Sequence, residues 1–239
     1  MQNSRTPLVD IHDDETLRIS ARSAVSDSTS GSILLSFTGL GHAMGALNVQ
    51  QPEFFGAGRS FDNILFITDK ERSWGNNLDF DRIAETIAPL VGDRKVYTIG
   101  NSMGGFLAIA ITRHVETVAC VAFVPQFSVS SRVFPTERRW RQYRDQIKTY
   151  RLETIEGSFV PGTRYYLFSS LMDDDRKHAE KFPVASNILH YGFPTLDHRL
   201  SLRLKEQGHL EKVVSGSFGL ADTLDIEPEH VVLSKMASN

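Results

Sequence analysis

The 239-residue sequence predicts an α/β fold with a mainly parallel central sheet and helices on both faces. Three observations carry this reading. Short, continuously apolar runs such as "ILLSF" (33–37), "NILFIT" (63–68) and "TVACVAFVP" (117–125) are strands buried on both faces, as in parallel sheets. Between several of them lie stretches of helical period, the clearest being "FDRIAETIAPLV" (80–91) with Ile83, Ile87 and Leu90 in phase. Strand and helix then alternate along most of the chain, the order that builds βαβ units.

In order, "ETLRISARS" (15–23) alternates as a half-buried strand, and "SDSTSGS" turns the chain into "ILLSF". "NILFIT" is a buried strand, and Asp81 favours a helix start near residue 80. "KVYTI" (95–99) returns to strand and "GGFLAIAITRHV" (104–115) to helix. "TVACVAFVP", "TRYYLFSS" (163–170) and "SNILHYG" (186–192) are the later strands, and "RLSLRLKEQGHLEKVV" (199–214) the last helix. Residues 126–160 interrupt the alternation and contain the helical stretch "ERRWRQYRDQIKTYR". Residues 220–239 read as a polar tail with an apolar patch at Val231 to Leu233. One domain spanning 1–239, with 126–160 inserted as a small helical cap, accounts for the length.

With 41% apolar and 23% charged residues and a net charge of −3, nothing global favours nucleic acid or an anionic membrane. The polar start carries acids early, and no run is long enough to span a bilayer; a cytoplasmic protein without an integral membrane segment is expected. Cys120, the single cysteine, sits in an apolar run and is expected to pack as a buried hydrophobe. No H-E-x-x-H, C-x-x-C, phosphate-loop or dinucleotide glycine pattern occurs, so neither metal nor cofactor is expected.

The stretch carrying chemistry is "VYTIGNSMGGFLAIAI" (96–111), where Gly100-Asn101-Ser102-Met103-Gly104 fits G-x-S-x-G between a strand and a small-residue helix. A serine at such a turn needs a strained backbone, and larger flanking side chains would strike the strand and helix. The following helix aims its N-terminal N–H groups at a developing oxyanion. A glycine-rich structural turn is the plainer explanation of the same residues.

This stretch resembles the nucleophile elbow of the α/β-hydrolase superfamily, and the β–α order from about Glu15 to Val214 resembles that fold. The resemblance implies a catalytic Ser102, then an acid and a histidine after later strands. His198, in the loop after "NILHY", is the favoured base; His42, after "ILLSF", is its rival and a candidate to line the pocket. For the acid, "LMDDDRKHAEKF" (171–182) offers Asp173 first by distance from the strand end, then Asp175. Ser170 replaces the usual glycine there, which could displace the loop by a residue or two. A helix cap also explains the three acids. The resemblance further implies an oxyanion hole from the backbone N–H groups of Met103 and of Leu40, the latter in "TGLGHAMG" (38–45).

Six basic residues between Arg138 and Arg151, against Asp145 alone, with Trp140 and Tyr143 among them, suit a cap that meets an anionic acyl substrate; a solvated amphipathic helix suits them as well. Trp74, in the loop "DKERSWGNN" (69–77), is a further candidate pocket wall. The expected function is a serine hydrolase acting on a small-molecule carboxylic ester or thioester without a cofactor. Transfer of the acyl group to another acceptor, and a non-catalytic binding module on the same fold, are the alternatives.

Overall fold

The computed structural model describes residues 7–22, 31–44 and 47–235. Eleven strands are present among them: β1 (Leu8–Asp13), β2 (Leu17–Arg22), β3 (Ser32–Phe37), β4 (His42–Met44), β5 (Leu47–Val49), β6 (Asn63–Asp69), β7 (Lys95–Asn101), β8 (Ala119–Phe123), β9 (Arg164–Ser170), β10 (Ile188–Phe193) and β11 (Val231–Val232). The helices are α1 (Phe80–Val91), α2 (Met103–Ala110), α3 (Arg141–Arg144), α4 (Asp173–Ala179), α5 (Leu200–Glu206) and α6 (Leu210–Phe218). One sheet runs β1-β2-β6-β3-β7-β8-β9-β10-β11, and β4 and β5 form a separate hairpin. The centre from β6 to β10 is parallel. β1, β2 and β11 add antiparallel edges. The predicted mainly parallel sheet with helices on both faces, an α/β-hydrolase architecture, is what forms.

The apolar runs work because a strand sends alternate side chains to opposite faces. Ile33, Leu35 and Phe37 of β3 pack with Cys120 and Ala122 of β8 and Leu167 of β9 on one face, covered by Ile83 and Ile87 of α1 and Phe106 of α2. Leu34, Val121, Phe123 and Phe168 face the other side, covered by Leu200 and Leu204 of α5 and Val213 of α6. α2 is buried on every residue, as an all-apolar helix must be. α1 starts where Asp79 accepts from Arg82 N–H (3.1 Å) and stops at Gly92, φ 53°.

Three expectations change. The stretch "ERRWRQYRDQIKTYR" is helical only over α3; Trp140 enters the left-handed region (φ 57°) and the rest of 126–160 is mostly turns. The last helix is two, α5 and α6, because Gly208 adopts φ 81° between them. The apolar patch near residue 231 rejoins the sheet, Val232 opposite Tyr191, so residues 220–235 return to its edge rather than trail from it. Among the described residues no helix is long and apolar enough to cross a membrane.

Candidate active site

The loops that leave the carboxyl ends of the parallel strands converge, and the elbow after β7 is their centre. Ser102 adopts φ 57° and ψ −122°, a conformation that side-chain-bearing residues rarely take. It is held there by its N–H on Phe123 O (2.8 Å). A Cβ on Gly100 would lie 2.1 Å from Gly104 O, and one on Gly104 would lie 2.2 Å from Phe37 O. Both glycines are therefore steric requirements of the turn. The second contact also presses the elbow against the loop after β3, where a Cβ on Gly39 would stand 3.0 Å from Asn101 O.

Ser102 Oγ lies 3.0 Å from His198 Nε2, and His198 Nδ1 lies 3.0 and 3.1 Å from the two oxygens of Asp175. Ser102 and Asp175 are buried, whereas His198 keeps 30% of its side chain exposed. Asp173 is not part of this chain of contacts. Leu171 N–H still pairs with Phe193 O (2.9 Å), and Ser170 Oγ accepts from Met172 N–H (3.1 Å). The backbone thus stays extended through Met172 and α4 begins at Asp173, which is exposed with φ 47°. Two residues further round the helix, Asp175 faces inward. Asp174 pairs with Lys177 (2.7 Å).

Asp175 has a second partner that no sequence spacing suggested. Arg139 Nη1 donates to its Oδ1 at 2.7 Å, while Arg139 Nε and Nη2 hold the fully buried Glu137. Burial opposes ionisation of Asp175, but the His198 hydrogen bond and the Arg139 charge outweigh it and hold the carboxyl below its ordinary range. Burial likewise opposes the charge on Glu137, and His178 and Arg139 overcome it.

The elbow has one more contact. Gln126 Nε2 donates to Ser102 Oγ at 3.1 Å, and Gln126 Oε1 accepts from Trp74 Nε1 at 2.8 Å. Trp74 is wholly buried, in a turn fixed by Asp69, whose Oδ2 accepts from Ser73 N–H, Ser73 Oγ and Gly75 N–H. Trp140 lies between Trp74 and His198, with ring centroids 5.9 and 5.3 Å away, and Arg139 stacks on its face at 4.4 Å. Tyr143 stands under Arg72 (5.1 Å), whose Nε donates to Leu40 O (2.9 Å).

In the loop after β3, Gly39 N–H donates to Glu53 Oε1 (3.2 Å), and burial pushes that carboxyl up to about 7. Met103 opens α2 directly after Ser102. The side chain of His42 lies outside the described residues. His190 is buried against Ser169 Oγ (2.8 Å), and His209 stands at the start of α6 with its side chain 3.8 Å from Glu227. Among the described residues no group of three His, Cys, Asp or Glu side chains could hold a metal ion.

The sequence matches no protein-family model and no curated protein. Solved structures do match in fold. A capsule O-acetyltransferase of Neisseria meningitidis serogroup A superimposes with TM-score 0.58 at 11% identity, over 90% of this chain and 97% of that one. The carboxylesterase CesB of Bacillus subtilis gives TM-score 0.52 at 14% identity over 90% and 92%. Mouse α/β hydrolase domain-containing protein 10 gives 0.51 at 13% identity over 90% and 98%. At these identities the likeness is one of fold, and that fold is the α/β hydrolase.

Proposed function

We propose that this chain is a serine hydrolase that cleaves a carboxylic ester or thioester through an acyl-enzyme on Ser102. The observation that carries the proposal is the unbroken contact chain Ser102–His198–Asp175 at 3.0 to 3.1 Å, set on an elbow where only glycines fit the flanking positions.

A serine hydroxyl is a weak nucleophile until a base takes its proton. As Ser102 Oγ bonds to the acyl carbon, its proton passes to His198 Nε2 and the carbonyl electron pair moves onto oxygen. Asp175, ionised and hydrogen-bonded at Nδ1, fixes the tautomer that leaves Nε2 free and stabilises the imidazolium. The N–H groups of Met103 and Leu40 are the proposed donors to the oxyanion, each worth roughly 3 kcal/mol at the transition state. Collapse expels the alcohol or thiol, which takes the proton from His198; water then repeats the sequence to release the acid.

The same acyl-enzyme serves transfer to an acceptor other than water. The near-complete burial of Ser102, 5% exposed, is the observation that favours this second reading, because transfer needs water kept away.

Fluorophosphonate labelling tests both. Labelling at Ser102 in the wild type, lost in Ser102→Ala and His198→Ala, is expected. A folded wild type that does not label removes the proposal. Turnover of a p-nitrophenyl ester accelerated by added alcohol or thiol, with the acyl product on the acceptor, would select transfer over hydrolysis.

A further inference from the structure

We propose that Gln126 is a catalytic residue of this site: its side-chain amide, locked by Trp74, directs the Ser102 hydroxyl toward His198 and donates to the oxygen whenever that oxygen carries negative charge. The inference rests on Ser102 being the nucleophile and adds a group to it.

The assignment of the amide follows from donor chemistry. An indole N–H can only donate, so the atom of Gln126 facing Trp74 Nε1 at 2.8 Å must be the carbonyl oxygen. The NH2 group is thereby turned to the other side, where it meets Val124 O at 3.3 Å and Ser102 Oγ at 3.1 Å. Ser102 Oγ thus accepts from Gln126, and its own proton is left to His198 Nε2, 3.0 Å away. A serine hydroxyl that rotates freely has three staggered choices; here one is preset.

The local backbone supports a built arrangement. Val124, a β-branched residue, sits at φ 40° at the end of β8, and its N–H is tied to Phe168 O at 2.6 Å. After this kink and Pro125, the chain turns Gln126 back over the elbow, where it is fully buried. Strain of this kind persists where the surroundings fix it and gathers at functional sites.

Chemically, Gln126 exchanges no bond. During acylation, Oγ forms its bond to the acyl carbon as its proton goes to His198, and the Gln126 N–H stays on Oγ. When the acyl-enzyme breaks down, Oγ leaves the tetrahedral carbon with the bonding pair and recovers a proton from His198. A donor in a dry site lowers the cost of the charge on Oγ at both moments.

The test is the second-order rate of fluorophosphonate labelling at Ser102, with the melting temperature of each variant. Gln126→Leu is expected to label roughly 10- to 100-fold more slowly, the loss of one hydrogen bond to a charged oxygen. It also strands the Trp74 N–H, so some stability is lost. Trp74→Phe/Gln126→Leu removes both polar partners together and is expected to regain stability while labelling as slowly as Gln126→Leu. Trp74→Phe alone, which unlocks the amide, is expected to fall between. The pH–rate profile should keep its shape, with only the plateau lowered. If the double variant labels at the wild-type rate, Gln126 only packs the site and the proposal is overturned while the nucleophile stands. If the wild type itself fails to label, the nucleophile reading falls and takes this proposal with it.

Discussion

Replacing Asp175 by asparagine is the sharpest test of how the three residues are wired, because Arg139 dictates what the asparagine must do. Arg139 Nη1, 2.7 Å from Oδ1, is a donor only, so the amide oxygen must stay on that side. The amide nitrogen then takes the place of Oδ2, 3.0 Å from His198 Nδ1, and offers it an N–H in competition with the oxygen that stays 3.1 Å from the same ring nitrogen. Where the amide N–H prevails, Nδ1 becomes an acceptor, the ring proton moves to Nε2, and no lone pair remains for the Ser102 proton. Loss of the correct tautomer removes about 10⁴ in rate, which is about 5.5 kcal/mol at 1.36 kcal/mol per tenfold. The assay is kcat/KM on a p-nitrophenyl ester, or the fluorophosphonate labelling rate, corrected for folded fraction. Asp173→Asn, on an exposed carboxylate, should stay within about twofold of wild type. Arg139→Met added to Asp175→Asn frees the amide to turn its oxygen toward Nδ1, and at least about tenfold of the loss should return. Activity of Asp175→Asn within tenfold of wild type, or an equal loss in Asp173→Asn, refutes the assignment of the acid. No recovery in the double variant refutes the tautomer argument.

Gly104→Ala should destabilise by roughly 3 kcal/mol or more, since its Cβ meets backbone oxygen Phe37 O at 2.2 Å, whereas Gly157→Ala, with only a guanidinium tip at 3.8 Å, should leave thermal unfolding nearly unchanged. Burial pushes His190 down to about 3, so between 6.5 and about 3 the unfolded chain takes up a proton that the folded one refuses, and stability falls by up to about 1.4 kcal/mol per pH unit on acidification. Glu53, raised to about 7, acts with the opposite sign above about 4.5; the check is therefore the difference in urea midpoints between wild type and His190→Gln at pH 7 and pH 5, with the variant losing less on acidification. Cys120 is buried with its thiol pushed up to about 12, and should react with a disulfide reagent only after denaturation; rapid reaction in native buffer would contradict its placement in the core.

What could be read from the sequence is what is local. The elbow is legible because its steric requirement spans five residues, and a 2.1 Å clash is written as a glycine at a fixed offset. Apolar runs are legible because β3, β6 and β8 are buried on both faces and need no alternation. That Asp175 rather than Asp173 meets His198 is hidden from the sequence for an equally local reason working the other way. Ser170 Oγ holds the Met172 N–H and delays the turn into α4, a contact that composition does not announce.

The segment 126–160 shows where such reading runs out. Its charge and aromatic content suit a substrate-facing cap or a solvated amphipathic helix, yet it touches each of Ser102, Asp175 and His198 with a different residue. Gln126 meets the serine, Arg139 the acid, and Trp140 packs on the histidine. Those partners lie 24, 36 and 58 residues away, offsets that belong to no helical or strand period. Its basic side chains are also partly committed: Arg139 to Glu137 and Asp175, Arg141 and Arg144 to Asp145 at 3.5 and 3.7 Å. We infer that an insertion with several of its cations engaged within the protein, and with its buried Gln126 amide and half-buried Trp140 indole against Ser102 and His198, braces the proposed triad. The Gln126 and Arg139 variants are therefore tests of rate in the proposed reaction.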